Sequence, residues 1–391
     1  MKQALFKITS DLACLLRSNK FLKNILYSPV ERLTRRKFRT IDYILYDAKK
    51  NKNVKVTPPS ESNYESVYPW TIGIIKDLFH NHESYIVACR ELKVAYKTID
   101  FFASDWINQV LQSGCSAYVA WPSECIHEWK CLYDERFQFL SAHLRQMLYP
   151  SHDSLWLYGS KQRQRDWLDI HGFPHASTWV FYNLQESLDF LTKAKLPLVV
   201  KLDIGSSAHG IWIIKSHRQG ERLIRKAFRS GIIGDRADSH ARQWRHILMQ
   251  EYLPDIREWR IIRIGDSFFG HEKGKAGEFH SGSGVVGWLA PPRAALDLVY
   301  RISEKGNFRS VAMDVFEKKT GDLMVNELQA VFGAFDTAQM YIDGIPGRYR
   351  RIENDFIFEE GRFCRNACCN LRINDLLHQL KNGSINDNSS R

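Results

Sequence analysis

No run of eighteen apolar residues occurs in the 391-residue chain, so no stretch can cross a bilayer as a helix. The first residues lack the uninterrupted apolar core of a secretory leader, because Lys7 and Asp11 break it, and the expectation is a protein that is not exported. No G-x-G-x-x-G follows a strand pattern, which removes the fingerprint of dinucleotide binding. There is no internal repeat. The eight cysteines lack regular spacing. Cys364, Cys368 and Cys369 stand close together but lack a second C-x-x-C or a His pair at zinc spacing. His127 and Cys131 lack carboxylate partners. Free thiols in a reducing, cytoplasmic setting are expected, not a disulfide framework or a zinc site.

What is present is ordinary globular composition, 44% hydrophobic and 13% aromatic, in a length that suits roughly two to three domains. The formal charge of +11 is unevenly placed. Residues 1–56 carry fourteen Lys and Arg against four Asp and Glu, so the remainder is close to neutral. Within this region Leu5, Ile8, Leu12, Leu15 and Leu16 recur at helical spacing. Such a helix packs on its own domain or lies on an anionic membrane or a partner protein. Arg32–Arg39 has no nucleic-acid-binding motif around it, so no nucleic acid is assigned. Thr57–Ser62, with its two prolines, reads as a linker.

The organisation read from pattern is a basic N-terminal region, 1–66; a small α/β domain with a parallel sheet, 67–150; two α+β subdomains with antiparallel strands, 151–245 and 246–362; and a tail, 363–391, polar and disordered from about Gly383. Cys125–Met147 reads as one long helix. Two features stand out in the second half. Leu198–Lys201 is a β-branched run ending in lysine, followed by the small loop Gly205-Ser206-Ser207-Ala-His-Gly210 and a returning strand from Ile211. A hairpin of this composition can cover a polyphosphate, with backbone N–H groups on its oxygens and the lysine as counter-charge. Asp314 and Glu327 then fall on two strands expected to be neighbours, with Gln329 two residues on and facing the same way as Glu327. Singly, these are a solvated lysine, a turn and a surface acid pair; together they describe a nucleotide and its metal.

In their order and separation these motifs resemble the ATP-grasp superfamily, with the strongest likeness to its carboxylate–amine ligases of the glutamate-adding and D-alanine–D-alanine types. The resemblance covers residues 70 to about 340. It implies a Rossmann-like pre-grasp domain followed by a two-subdomain ATP-grasp fold, α/β and α+β. It also implies that Lys161, in Gly-Ser-Lys-Gln-Arg before Gly172-Phe-Pro174, and Lys201 touch ATP phosphates. Gly205, Ser206, Ser207 and Gly210 then form the flexible phosphate loop. Gln250, Glu251 and Leu253 lie in the adenine segment, and Glu258 grips ribose. Arg260 and Lys273 are the catalytic cations, and Asp314, Glu327 and Gln329 hold Mg²⁺. Two departures are visible: Gln329 stands where the family usually has Asn, and His280, in Gly277-Glu-Phe-His-Ser281, replaces an Arg.

The implied chemistry is activation of a carboxylate as an acyl phosphate at the expense of ATP, then attack by an amine, in surface-polysaccharide or peptide-like metabolite synthesis. The expected partners are therefore small carboxylate and amine substrates. Many relatives are dimers or tetramers, which leaves a homo-oligomer open. The alternatives are an ATP-grasp kinase of small molecules and a non-catalytic nucleotide-binding protein that docks through residues 1–66.

Overall fold

The apolar run Thr71–Ile75 forms the inner strand β1 of a parallel sheet, with Ile72, Ile74 and Ile75 buried. In the computed structural model the described residues are 59–123, 127–205, 210–234, 242–275, 285–332 and 339–388. The chain continues through α1 (Glu83–Leu92), β2 (Ala95–Ile99), α2 (Trp106–Ser113), β3 (Ala117–Val119), α3 (His127–Gln138) and β4 (Leu148–Tyr149). The strand order is β2-β1-β3-β4, with every pair parallel. Gly73 lies opposite Tyr118, and a Cβ there would come within 2.3 Å of that ring. The long helix expected to reach Met147 leaves the α-helical pattern at Gln138, becomes a π-turn over Phe139–His143 and gives way to β4.

The second unit follows α4 (His152–Leu157) and α5 (Lys161–Ile170). It comprises β5 (Thr178–Phe181), α6 (Leu184–Lys193), β6 (Leu198–Lys201), β7 (Ile211–Ile214), α7 (His217–Arg229) and β8 (Ile247–Glu251). Its sheet is antiparallel, in the order β5-β8-β6-β7. α6 and α7 cover it through Leu191, Ile224 and Ala227. Side-chain oxygens of Ser160, Asn183 and Ser216 cap α5, α6 and α7, each accepting from the third residue on, which satisfies an otherwise orphaned N–H.

The third unit contains β9 (Arg257–Ile264), β10 (Ser267–Lys273), β11 (Val286–Gly287), α8 (Arg293–Gly306), β12 (Ser310–Glu317) and β13 (Leu323–Gln329). After these come β14 (Met340–Ile342), β15 (Ile345–Ile352) and β16 (Asp355–Glu360). The main path is β13-β12-β9-β10-β15-β14, with β11 on β10 and β16 on β15. One face carries Trp259, Ile261, Met313, Val315 and Leu328, and packs in one core with α8. Alternation puts the next residues on the other face. That face is apolar at one end, with Ile262, Ile264, Phe269 and Ala312 in a buried cluster. At its other end it carries Glu258, Arg260, His271, Lys273 and Asp314. The strands β14–β16 carry no motif, and pattern alone does not predict them.

Two expectations at the ends are corrected. Residues 59–62 are not a free linker: Thr98 N–H donates to the Ser60 carbonyl at 2.8 Å, Ser62 N–H donates to the Tyr96 carbonyl at 3.0 Å, and Tyr64 packs on the first core. The C-terminal segment is not a tail, because α9 (Cys369–Asn388) runs past Gly383. Ile373, Leu376 and Leu377 sit in the core of the parallel-sheet domain, against α1. Arg372 is fully buried and ties α9 back to the large sheet, donating to Ser310 Oγ and to the Ala367 and Phe332 carbonyls, each at 3.1 Å. The expected helix over Leu5–Leu16 lies outside the described residues.

Because Ile373 is completely buried, Ile373→Ala should destabilise the protein by about 2–5 kcal/mol. Urea unfolding checks this; a loss below about 0.5 kcal/mol, the scale of a surface substitution, would mean that α9 is not part of that core.

Candidate active site

Three neighbouring strands create the central cluster. Register sets Asp314 opposite Arg260 on β9 and opposite Glu327 on β13, while His271 on β10 is opposite Arg260. Arg260 grips Asp314 with both prongs of its guanidinium, Nε to Oδ1 at 2.9 Å and Nη2 to Oδ2 at 3.0 Å. Lys273 Nζ adds a bond to Oδ2 at 2.8 Å and also pairs with Glu258 at 2.5 Å. Asp314 is 1% exposed. Burial alone would push its pKa up, but Arg260 and Lys273 outweigh it and hold the carboxyl well below the usual carboxylate range. Burial pulls Lys273 down, and Asp314 and Glu258 more than restore it, so it stays charged.

The small subdomain brings its lysines to this cluster. Lys201 ends β6, is buried, and donates to Asn326 Oδ1 on β13 at 2.9 Å. Burial first, and then the neighbouring Lys161, bring its pKa down to about 8. Lys161 opens α5. Its Nζ donates to the Gly205 carbonyl at 2.8 Å and lies 4.0 Å from Glu327. Asp203 fixes this corner by accepting from Ser160 Oγ at 3.0 Å and from Gln162 N–H at 2.8 Å. The loop after Lys201 closes through Leu202 N–H to the Gly210 carbonyl at 2.9 Å. Gly210 has φ +84°, and a Cβ there would lie 2.5 Å from Leu202, so both backbone sign and space require glycine.

Between the two sheets lies an open cleft of ≈ 670 Å³. Val199, Ile211, Ile213, Leu253, Ile256 and Phe316 give it apolar walls, and Lys201, Gln250, Glu251 and Glu258 give it a polar end. The Glu251 carboxylate accepts from Ser177 N–H at 2.8 Å, and the Gln250 amide donates to Thr178 Oγ1 at 2.9 Å. Both side chains are therefore held at β5 while they line the cleft.

No protein-family model matches the chain. An N5-carboxyaminoimidazole ribonucleotide synthetase solved with ADP has a similar structure, with TM-score 0.51 and 13% identity over 71% of this chain and 75% of that one. The biotin carboxylase domain of a 2-oxoglutarate carboxylase from Hydrogenobacter thermophilus, solved with MgADP, ADP and bicarbonate, gives 0.50 and 14% over 68% and 65%. The chain has the ATP-grasp fold. A phosphoribosylamine–glycine ligase from Clostridium acetobutylicum is 30% identical over 110 residues, which make up 28% of this chain and 24% of that protein. The match thus spans about a quarter of that curated relative.

In this ATP-grasp fold, Lys161, Lys201, Glu258, Arg260, Lys273, Asp314 and Glu327 converge around the meeting point of the two sheets. Gly205 and Gly210 bound the loop, and Gln250, Glu251 and Leu253 line the cleft. Gln329 pairs with Ala312, two residues along the same face from Glu327, towards the apolar end. Ser206, Ser207, His280 and the element 277–281 lie outside the described residues. Among the described residues no three His, Cys, Asp or Glu side chains could hold a metal ion by themselves. Asp314 and Glu327 are nevertheless cross-strand neighbours with oxygen donors. That set fits magnesium, which takes one or two carboxylates and completes its shell with phosphate and water.

Two residues of the site carry no motif that would assign them from sequence. Asn326, the partner of Lys201, is the extra residue of a bulge, because Asp314 pairs with Glu327 while Val315 pairs with Val325. His271 is 5% exposed and meets Trp288 edge-on at 5.5 Å. Burial, followed by the charge on Arg260, pushes its pKa down to about 4. The fold thus favours neutral imidazole. Its contribution is complete above the unfolded value of about 6.5 and is lost as pH falls from there towards 4. Between pH 7 and pH 5 the wild type should lose about 2 kcal/mol more unfolding free energy than His271→Gln. Urea titrations at the two pH values check this; parallel losses would show an imidazole that stays solvated.

Proposed function

We propose that the protein is an ATP-dependent ligase that activates a carboxylate as an acyl phosphate and couples it to an amine. The observation that carries this reading is the arrangement of charge. Lys161 and Lys201 reach across from the small subdomain to a buried Arg260–Asp314–Lys273 cluster, at the mouth of an apolar cleft of a size that accepts a nucleobase and ribose. The base sits between Ile211, Ile213, Leu253 and Phe316, and the phosphates run towards Lys201, Lys161 and the loop bounded by Gly205 and Gly210.

In the first step a substrate carboxylate oxygen bonds to the γ-phosphorus, the bond from that phosphorus to the β-bridging oxygen breaks, and ADP leaves. In the second, the amine nitrogen attacks the acyl carbon, inorganic phosphate leaves with the acyl C–O bonding pair, and the nitrogen loses a proton. The chain's own contribution is position and charge. Lys161 and Lys201 neutralise phosphate oxygens. Arg260 and Lys273 lie where charge builds on the transferring group, and Asp314 and Glu258 hold them there. Asp314 and Glu327, with Gln329 beside them, would hold magnesium, which when bound bridges phosphate oxygens and withdraws their charge.

Small carboxylates and amines as substrates, a cytoplasmic setting and a role in surface-polysaccharide or peptide-like metabolite synthesis belong to the same reading. Free cysteines fit a reducing compartment, and no helix among the described residues is long and apolar enough to cross a membrane. Product analysis separates a ligase, which yields ADP, free phosphate and an amide, from a kinase, which leaves the phosphoryl group on its product.

Mg·ATP at about a hundred times its dissociation constant should add roughly 2.7 kcal/mol to the stability of the wild type, and Lys201→Ala should abolish the gain. Thermal unfolding with Mg²⁺ alone as reference reads this directly. An unshifted wild type, or a mutant that shifts equally, would remove the nucleotide site. Lys201 also sets a pH dependence. A polyphosphate binds its charged form, so affinity should be full below about 8 and fall as pH rises through that value. Calorimetry from about pH 7 to about pH 9.5 checks the sign; a flat profile would place Lys201 away from the phosphates.

A further inference from the structure

The chain enters the described fold along an edge. β2 is the outer strand of the parallel sheet, and residues 59–62 run antiparallel beside it. Ser62 pairs with Tyr96, Ser60 with Thr98, and Tyr96 Oη donates to the Pro59 carbonyl at 3.3 Å. Moving towards the N-terminus along this segment therefore means moving towards the C-terminal end of β2. Residues 1–58 are delivered there, where Asp100–Phe102 lead into α2. α2 buries Trp106, Val110 and Ser113 on one side. On its outer side Ile107 is 43% and Leu111 64% exposed. They are four residues apart and so lie one above the other on a single stripe. Phe102, 36% exposed, precedes the same helix.

Residues 1–58 carry the matching features. Leu5, Ile8, Leu12 and Leu15 recur at spacings of three and four, and the region holds nearly all the net positive charge of the chain. The rim around α2 is acidic: Glu61 and Asp105 are exposed, and Asp100 is more than a third exposed. We infer that residues 1–58 fold back on the parallel-sheet domain and lay their apolar stripe over Ile107 and Leu111, with lysines and arginines beside Glu61 and Asp105. Attachment a few residues away gives this segment a local concentration that a second copy lacks. The acidic rim opposes an anionic lipid surface.

The test uses the full chain with Leu111 replaced by the photo-crosslinker p-benzoylphenylalanine, with and without vesicles containing phosphatidylserine. Irradiation should join position 111 to a peptide from residues 1–58 within a species of monomer mass, whether vesicles are present or not. A product of dimer mass would assign the stripe to a second copy. Vesicle flotation that abolishes the internal cross-link would assign the apolar segment to lipid, and the absence of any cross-link would leave Leu111 in water; each overturns the inference. Leu12→Asp and Leu111→Asp supply an independent reading. Each should lower Tm by a few degrees, and the double variant should fall no further than the worse single variant, because both remove the same contact. Additive losses, or no loss from either, would overturn it. Neither readout requires nucleotide, so the result is separate from the fate of the ligase assignment.

Discussion

Everything at the site depends on keeping one carboxylate ionised while it is almost wholly shielded from water. A buried charge without partners is so unfavourable that the group would take up a proton. Asp314 escapes this because Arg260 and Lys273 come from two other strands of the same sheet and meet both of its oxygens. The pairing constrains the fold as much as the chemistry. β12, β9 and β10 must keep their register, since a slip of one residue would send Arg260 to the hydrophobic face and leave Asp314 alone. Removal of either cation would do worse than remove an attraction, because it would strand a buried charge.

The same cluster explains why the sheet has a divided face. Beyond Arg260 and Asp314, the next residues on that face are Ile262 and Ala312. They are covered together with Phe332, Met340 and Cys368 at the approach to α9. The charged end is left for the small subdomain, whose contact is light: Lys201 to Asn326, Lys161 near Glu327, and the bridge of His175 to Val325. The two lysine contacts are ones that phosphate oxygens can replace, because a polyphosphate offers stronger acceptors than an amide oxygen. The rigid half of the site is thus built from ion pairs within one sheet, and the exchangeable half from single bonds between two.

Much of this architecture is legible in the amino-acid sequence. The alternation of strands and helices from Trp70, the lysine closing a β-branched run, and acids on neighbouring strands all rest on local patterns. The resemblance to ATP-grasp enzymes supplies the order of the parts. Long-range register is not legible. Nothing local says that Lys273 pairs with Glu258 and Asp314, or that Arg260 is committed to Asp314. Asn326 escapes notice because a bulge is a mismatch between two strands and has no signature in one. The end of the chain misleads because Gly383, Ser384 and Asn386 look disordered in isolation. The helix that holds them is anchored upstream by Ile373, Leu376 and Leu377, and by Arg372 against the large sheet. The strands β14–β16 escape prediction because their contribution is structural and no motif marks them.

The balance of charge bears on the metal. Lys161, Lys201, Arg260 and Lys273 face Glu258, Asp314 and Glu327, so the protein's own groups come close to cancelling. Arg260 and Lys273 are already spent on carboxylates, which leaves Lys161 and Lys201 as the cations available to a polyphosphate. Two lysines, one of them with its pKa brought down to about 8, cannot offset a triphosphate. Asp314 and Glu327 would make the deficit larger unless a divalent cation lies between them and the phosphates. On this argument magnesium is required by the site's electrostatics as well as by its oxygen donors. Asp314 can turn towards such an ion only by giving up part of its hold on Arg260 or Lys273, which frees a cation at the point where the transferring phosphoryl group gathers charge.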